Sequence, residues 1–424
     1  MYSKKIKQMY KQPLNISFEL TDSCNNSCPH CYASSWVKSK KKSKDNSLDV
    51  AEKLAEHEIF DITLTGGEPL LIGIKKLARI IDILYKKNIS LSLNTNGRRL
   101  TKKICEELLK HGLSSMLISL HSSDDMLHDK MVNAVGAAKE TKIGLKSAVE
   151  TGCFVTANQV IDKRNIHTMF ETAVNLEKLG VNAVAITRFV PPLNCISNVE
   201  SVKPEKFIDE FLKCKSHLNI PCESLLPFCY CADDRIADNA LGINCGGGIY
   251  SAAVSSNGDM RMCVHDSEVW GNILKEGLES VWSRISEWRT EISVPVACRN
   301  CVYLPDCMGG CRVDGKYHTG TYNAMDSWAK RPRLDLARKT IYYKMDCEVP
   351  HLLSPNLRYR TEGNSFLVFG NGKSVLVNRD GLDFINSLPK KFVPDEIIKR
   401  GGENAKIIKD YFELLHKKMF IIKN

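Results

Sequence analysis

Between residue 15 and about 215, short apolar runs alternate with amphipathic stretches of helical period. The runs ISFEL (16–20), FDITL (60–64), ISLSL (89–93), SMLISL (115–120), FVTANQVI (154–161) and VNAVAITRF (181–189) predict strands. The stretches KKLARIIDILYKK (75–87), KKICEELLKHG (102–112) and MFETAVNLEKLG (169–180) predict helices, with Gly112, Gly152 and Gly180 placed where helices should stop. Six βα units in succession predict an α/β fold with a parallel sheet, a partial (β/α)6 barrel. Chemistry in such a fold gathers at the C-terminal ends of the strands.

From about 222 to 350 this periodicity fades and ten cysteines follow, from Cys222 to Cys347. A stretch of that kind is expected to lack an ordinary hydrophobic core and to be organised around metal. From about 355 the pattern changes again: SFLVF, GNGK and SVLVN predict a β-hairpin, and GLDFINSL, PDEIIKR and NAKIIKDYFELLHKK predict helices. Ile407, Ile408, Tyr411, Leu414 and Leu415 are expected mostly in the core of the last helix. The expected domains are 1–220, a barrel; 221–350, cysteine-rich; and 351–424, a small α+β module of three short strands and three helices.

Composition narrows the picture. No apolar stretch reaches membrane-spanning length, and MYSKKIKQMYKQPLNISFEL has no apolar segment before a cleavage site, so a cytoplasmic chain without a membrane partner is expected. In a reducing compartment 17 cysteines favour metal ligation over disulfides. The net charge of +10 serves solubility or attracts an acidic partner, and no basic patch interleaved with aromatics argues for nucleic acid. The one low-complexity piece, KSKKKSKDN (38–46), reads as a solvated loop.

The first candidate chemistry is Cys24-x3-Cys28-x2-Cys31, directly after the first strand. Three thiolates can hold three corners of a [4Fe–4S] cube and leave the fourth iron open to an amino acid. A zinc knuckle with His30 as fourth ligand is the alternative on spacing alone. Later strand ends carry TGGEPLL (65–71), NTNG (94–97) and SLHSSD (119–124). Glycines at 66 and 67 allow close backbone approach, and Glu68 can accept from an ammonium. With all four elements in order, the chain resembles the radical S-adenosylmethionine (SAM) superfamily. The resemblance implies that the open iron binds the methionine end of SAM and that its cleavage gives a 5′-deoxyadenosyl radical. It places SAM contacts at His30, Gly66, Gly67, Glu68, Pro69, Thr95, Asn96 and Ser119. Two departures stand out: His30 replaces an aromatic more often Tyr or Phe, and Lys130, with no Arg, follows HSSD where the family often has one.

The second cysteine field runs Cys245-x12-Gly258-x4-Cys263, a gap, Cys298-x2-Cys301-x5-Cys307-x3-Cys311, a gap, and Cys347. It resembles the SPASM extension of radical SAM enzymes, which implies two auxiliary [4Fe–4S] clusters. By the family's interleaved ligation Cys298, Cys301, Cys307 and Cys347 would hold one, and Cys245, Cys263 and Cys311 the other. The eighth position is Cys222, Cys229 or Cys231, or stays open. Cys105, Cys153, Cys195 and Cys214 read as packing residues.

The module at 355–424 resembles the winged-helix-like precursor-recognition domain of peptide-modifying enzymes, the fold of the peptide chaperone of pyrroloquinoline quinone biosynthesis. A leader peptide could add a strand to its hairpin edge. Together the resemblances imply an enzyme that oxidatively modifies a ribosomally made precursor peptide, by thioether or carbon–carbon cross-link, with electrons from a flavodoxin- or ferredoxin-type donor. A sulfatase-maturase-like enzyme making formylglycine is the alternative enzyme, and an iron–sulfur electron carrier or redox sensor the alternative without catalysis. Asp22, Gln159 and Arg188 fall near strand ends, and no catalytic role is read for them.

Overall fold

The apolar runs become strands because the helices between them cover one face of a single parallel sheet. The computed structural model describes residues 10–423 except 34–44, 194–197, 240, 242, 244, 286–293, 335–344 and 372. Cys195 and most of KSKKKSKDN therefore lie outside the described residues. Strands β1 (Asn15–Glu19), β2 (Asp61–Thr65), β3 (Ser90–Thr95), β4 (Ser115–Ser119), β5 (Phe154–Ile161), β6 (Ala183–Arg188) and β7 (Cys222–Glu223) run parallel in sequence order. Register sets Ile16 beside Ile62, and Ile62 beside Leu91, in one buried row.

The helix Ile74–Tyr85 shows how the cover forms. Leu77, Ile80, Ile81 and Leu84 recur at the spacing of one helical face and are fully buried. Each such side chain contributes about 1.5–3 kcal/mol when removed from water. Thr101 and Asp124 cap the helices Lys102–Lys110 and Asp125–Val132 by accepting backbone N–H groups, and Gly180 ends Met169–Leu179 at φ +94°. Cys105, Cys153 and Cys214 sit in this core as expected.

The cysteine-rich stretch departs from expectation. β8 (Ser251–Ser255) pairs parallel with β1, β9 (Asp259–Arg261) folds back on β8, and β10 (Gly271–Asn272) pairs with β9, so the sheet has ten strands. Ala252, Val254, Met260, Ile273, Val281 and Trp282 share the barrel's core. An ordinary hydrophobic core is therefore present here, contrary to the sequence reading. The small residues of SAAVS carry too faint a period to reveal a strand that pairs so far back along the chain. Glu19 of β1 and Arg261 of β9 form a buried ion pair at this seam.

The chain divides into two compact units, with the break between residues 339 and 340. The second unit holds β11 (His351–Leu353), β12 (Arg358–Glu362), β13 (Ser365–Gly370), β14 (Lys373–Val377), β15 (Lys391–Phe392) and β16 (Ile421–Lys423). These make two antiparallel sheets, β12-β13-β14 and β15-β11-β16, with the helices Arg379–Ser387, Pro394–Arg400 and Ala405–Lys417. The hairpin and helices match expectation, but the second sheet was not foreseen, because strands of two or three residues show no period. Ile407 is 68% exposed rather than core, since the last helix buries the face of Ile408, Phe412 and Leu415. Among the described residues no helix is long and apolar enough to cross a membrane.

Candidate functional site

Three loops at the C-terminal ends of β1, β2 and β3 are stitched together. The Gly67 N–H donates to Thr21 O and the Glu68 N–H to Ser23 O, both at 2.7 Å, tying the GGEP loop to the cysteine loop. A Cβ at Gly67 would stand 2.2 Å from Ser23 O, and one at Gly66, with φ +131°, 2.7 Å from Thr21 O. The close approach that these glycines permit is thus, in the first place, that of the cysteine loop itself.

Glu68 fastens the third loop. Its buried carboxylate accepts from the Leu70 N–H (3.1 Å), the Thr95 hydroxyl (2.7 Å) and the Asn96 N–H (2.8 Å). Burial raises its pKa and these donors oppose the rise. Pro69 opens a short 3-10 turn that Glu68 caps. The Asn96 side chain donates to Asn25 Oδ1 at 2.7 Å and stands 4.0 Å from Cys24 Sγ. Arg98 donates to the Asn25 carbonyl (2.6 Å) and to Asn26 Oδ1 (2.8 Å). Cys24, Cys28 and Cys31 are all half-buried on this loop. Burial raises the Cys24 thiol, with the Glu68 charge adding to the rise and the Asn26 N–H opposing it. Ser119 closes β4 in register with Asn158.

His30 lies beside His121 (3.2 Å) and Arg164 (3.2 Å). His121 Nδ1 accepts from the Val160 N–H, which puts its proton on Nε2, toward His30. A neutral His30 has one acceptor nitrogen, so it accepts from His121 or from Arg164 but not both. Burial lowers the pKa of His30 to about 4 and of His128 to about 4, and that of His121 well below its usual value, so all three rings are neutral at pH 7. Sequence reading missed Arg98 and Arg164 while noting that no arginine follows HSSD. Arg164 reaches His30 from 134 residues away, and nothing in its local pattern shows that. Lys130, which follows HSSD in the sequence, is exposed.

The second field separates into two groups. Cys263 feels the charges of Cys245 and Cys311, Cys311 feels that of Cys245, and a Cβ at Gly247 would stand 3.3 Å from Cys263 Cβ and 3.6 Å from Cys245 Sγ. Cys298, Cys301 and Cys307 line a separate pocket with Cys229 and Cys231. Cys222 lies instead in the core beside Cys214. Cys347 belongs to the second unit. Among the described residues no three His, Cys, Asp or Glu side chains converge on a single-ion site. The fit to an anionic thiolate cluster is seen in Arg312, a buried cation whose Nη1 lacks a hydrogen-bond partner and whose charged neighbours include Cys245, Cys298 and Cys307. Burial raises Cys298 to about 12 and Cys307 to about 11, so without a metal these thiols stay protonated.

Arg188 is not a free strand-end residue. Fully buried, it pairs with Asp326, lies 3.9 Å from Asp314, and stands over the Trp328 ring at 4.7 Å. Gln159 is buried with no partner for either amide atom among the described residues.

Comparison with known proteins agrees with this geometry. The model of the radical SAM superfamily matches residues 18–175, and that of an iron–sulfur cluster-binding domain, SPASM, matches 245–302. The mycofactocin maturase MftC of Mycolicibacterium smegmatis is 25% identical over 323 residues, covering 73% of this chain and 80% of that protein. The antilisterial bacteriocin subtilosin biosynthesis protein AlbA of Bacillus subtilis is 26% identical over 340 residues, covering 77% and 73%. Streptococcus suis SuiB, solved with bound S-adenosylmethionine, shares the fold at a TM-score of 0.62 and 16% identity, covering 76% of this chain and 78% of that one.

Proposed function

Because the chain belongs to the radical SAM superfamily and carries a SPASM iron–sulfur domain, we propose that it is a maturase that oxidatively cross-links a ribosomally made precursor peptide. A [4Fe–4S] cluster, auxiliary clusters and SAM are the cofactors these domains imply. Bound there, they supply one-electron cleavage of SAM and removal of hydrogen from substrate. Cys24, Cys28 and Cys31 would hold the first cluster, on a loop fixed by Gly66, Gly67 and Asn96. Glu68 would accept from the SAM ammonium, with His30, Pro69, Thr95 and Ser119 completing the pocket wall. Cys245, Cys263, Cys298, Cys301, Cys307 and Cys311 would hold the auxiliary clusters, whose chemistry there would be to accept electrons from the substrate. A flavodoxin- or ferredoxin-type protein would deliver the first electron.

The observation that carries the peptide reading is the second unit. It has a core of its own, built on Val368, Phe412 and Leu415, and its three-stranded sheet β12-β13-β14 ends in two edge strands, to either of which a leader peptide could add a fourth. MftC and AlbA, named for a maturase and for bacteriocin biosynthesis, support the same reading over most of the chain.

The test is anaerobic turnover of the full chain with SAM, dithionite and each short peptide that a search of the neighbouring reading frames finds, followed by mass spectrometry. Loss of two hydrogens within one peptide, dependent on its leader, is expected. Unchanged mass with an inverted stereocentre would sink the oxidative reading, and formylglycine in a folded protein would favour the sulfatase-maturase-like alternative.

A further inference from the structure

The backbone of Cys311 is held by a carboxylate. Its N–H donates to Asp326 Oδ2 at 2.7 Å, and the same oxygen pairs with the Arg188 guanidinium. Asp326 Oδ1 accepts the Trp328 N–H at 2.9 Å. Asp314, on the helix Arg312–Thr319, makes the reverse bond: its Oδ2 accepts the Ser327 N–H at 2.6 Å and stands 3.9 Å from Arg188 Nη1. The segments 311–314 and 326–327 are thus latched to each other twice, and both carboxylates face one guanidinium. Two glycines permit the approach. A Cβ at Gly310, with φ +82°, would stand 2.6 Å from Asp326 Cβ, and one at Gly315 would stand 2.8 Å from the Ala324 carbonyl oxygen.

The guanidinium comes from the sheet. Arg188 is the last residue of β6, and its Nε donates to the Pro227 carbonyl at 3.3 Å. Val190 and Leu193, just beyond it, pack with Cys311, Val313 and Cys263 in one apolar cluster. The C-terminal end of β6, on the side of the sheet that carries the Cys24 loop, and the Cys311 turn are therefore packed together. A buried ion pair adds little stability over apolar side chains of its size, so holding the fold together does not explain three charged groups at this place. What they supply is fixed charge beside a thiol of the second cysteine field. Charge and hydrogen bonding around the thiolates are what set the reduction potential of an iron–sulfur cluster.

We infer that Asp326, Asp314 and Arg188 are positioning residues of the cluster held by Cys245, Cys263 and Cys311: Asp326 fixes the Cys311 backbone, and the three charges set the potential at which that cluster takes up an electron. The inference rests on the reading that this stretch binds iron–sulfur clusters. Each charge then acts with its own sign. The two carboxylates oppose the added electron and hold the potential down, while the guanidinium draws it up.

The experiment is a potentiometric EPR titration of the anaerobically loaded full chain carrying Cys24→Ala, Cys28→Ala and Cys31→Ala, so that only the auxiliary clusters report. This parent should hold about eight irons in two cubane clusters. The signal that disappears when Cys263→Ala is added belongs to the group of Cys245, Cys263 and Cys311. Asp326→Asn, whose one oxygen can stay with Cys311 and Arg188, should raise the midpoint of that signal, and so should Asp314→Asn. Arg188→Met should lower it, and Arg188→Lys, which restores the charge, should return it toward the parent value. If Arg188→Met does not stay folded by circular dichroism, the double variant with Asp326→Asn decides. A midpoint closer to the parent than that of Asp326→Asn alone supports the inference, and one equal to it overturns it. Midpoints that stay put at the parent's iron content, or that move the same way whichever sign of charge is removed, mark a merely structural latch and overturn the inference while the clusters stand. A parent without cubane iron would instead refute the reading of auxiliary clusters on which the inference rests.

Discussion

Glu68→Gln separates the two tasks that the structure gives one carboxylate. Oε1 accepts from the Leu70 N–H and the Thr95 hydroxyl, and Oε2 from the Asn96 N–H, so one lone pair on Oε2 is left for a fourth donor. That remaining position is where the ammonium of SAM would bind. A glutamine has a single acceptor oxygen. With that oxygen at Oε1 it keeps two bonds and turns its amide donor onto the Asn96 N–H; in the other orientation it loses two. The smaller loss is one charge-assisted hydrogen bond and one stranded buried N–H, together about 2–4 kcal/mol.

Part of that loss is returned, because the neutral amide is spared the burial that raises the Glu68 pKa. A net destabilisation of about 2 kcal/mol is expected, which in a unit of this size lowers the melting temperature by roughly 2–5 °C. Melting is followed anaerobically by circular dichroism on cluster-loaded protein, with and without SAM. Glu68→Gln should melt lower and lose most of the SAM-induced rise. Thr95→Val, which keeps the shape of the pocket wall and the Glu68 charge but removes a donor to Glu68, should melt lower and keep more of that rise than Glu68→Gln. A Glu68→Gln protein that melts like wild type would refute the anchoring reasoning. One that melts lower yet keeps the full SAM response would refute the ammonium contact.

Two further expectations follow from the same geometry. Gly67→Ala should displace Ser23 and with it Cys24, lowering iron in the first cluster and 5′-deoxyadenosine release together, whereas Gly73→Ala, whose Cβ meets no atom within 4 Å despite its φ of +89°, should leave the iron content intact; a fully loaded, active Gly67→Ala would show that the loop can shift without cost. Arg261→Met should leave Glu19 as an uncompensated buried carboxylate and destabilise the protein by about 3–5 kcal/mol, most of it recovered in the double variant with Glu19→Gln, as read from urea melts. A double variant no more stable than Arg261→Met alone would mean that the guanidinium acts through packing or its bond to Asp266 O rather than through the charge.

What the sequence makes legible here is whatever is local. Strand and helix periods, a glycine pair at a strand end and cysteines two to five residues apart each express a constraint that acts within one loop or element, and β1–β6 and the cysteine loop stand close to where those patterns put them. What it hides is contact between loops. β8 beside β1, Arg164 beside His30, and the Ser23 carbonyl against Gly67 are consequences of sheet order, which no short window carries. The cysteines show both cases at once. Cys298, Cys301 and Cys307, close in sequence, line one pocket, and Cys229 and Cys231, about seventy residues earlier, line it with them. A cluster selects its ligands by distance, so in a cysteine-rich chain the register of a motif fixes the ligands within a turn, and the packing between turns decides the rest.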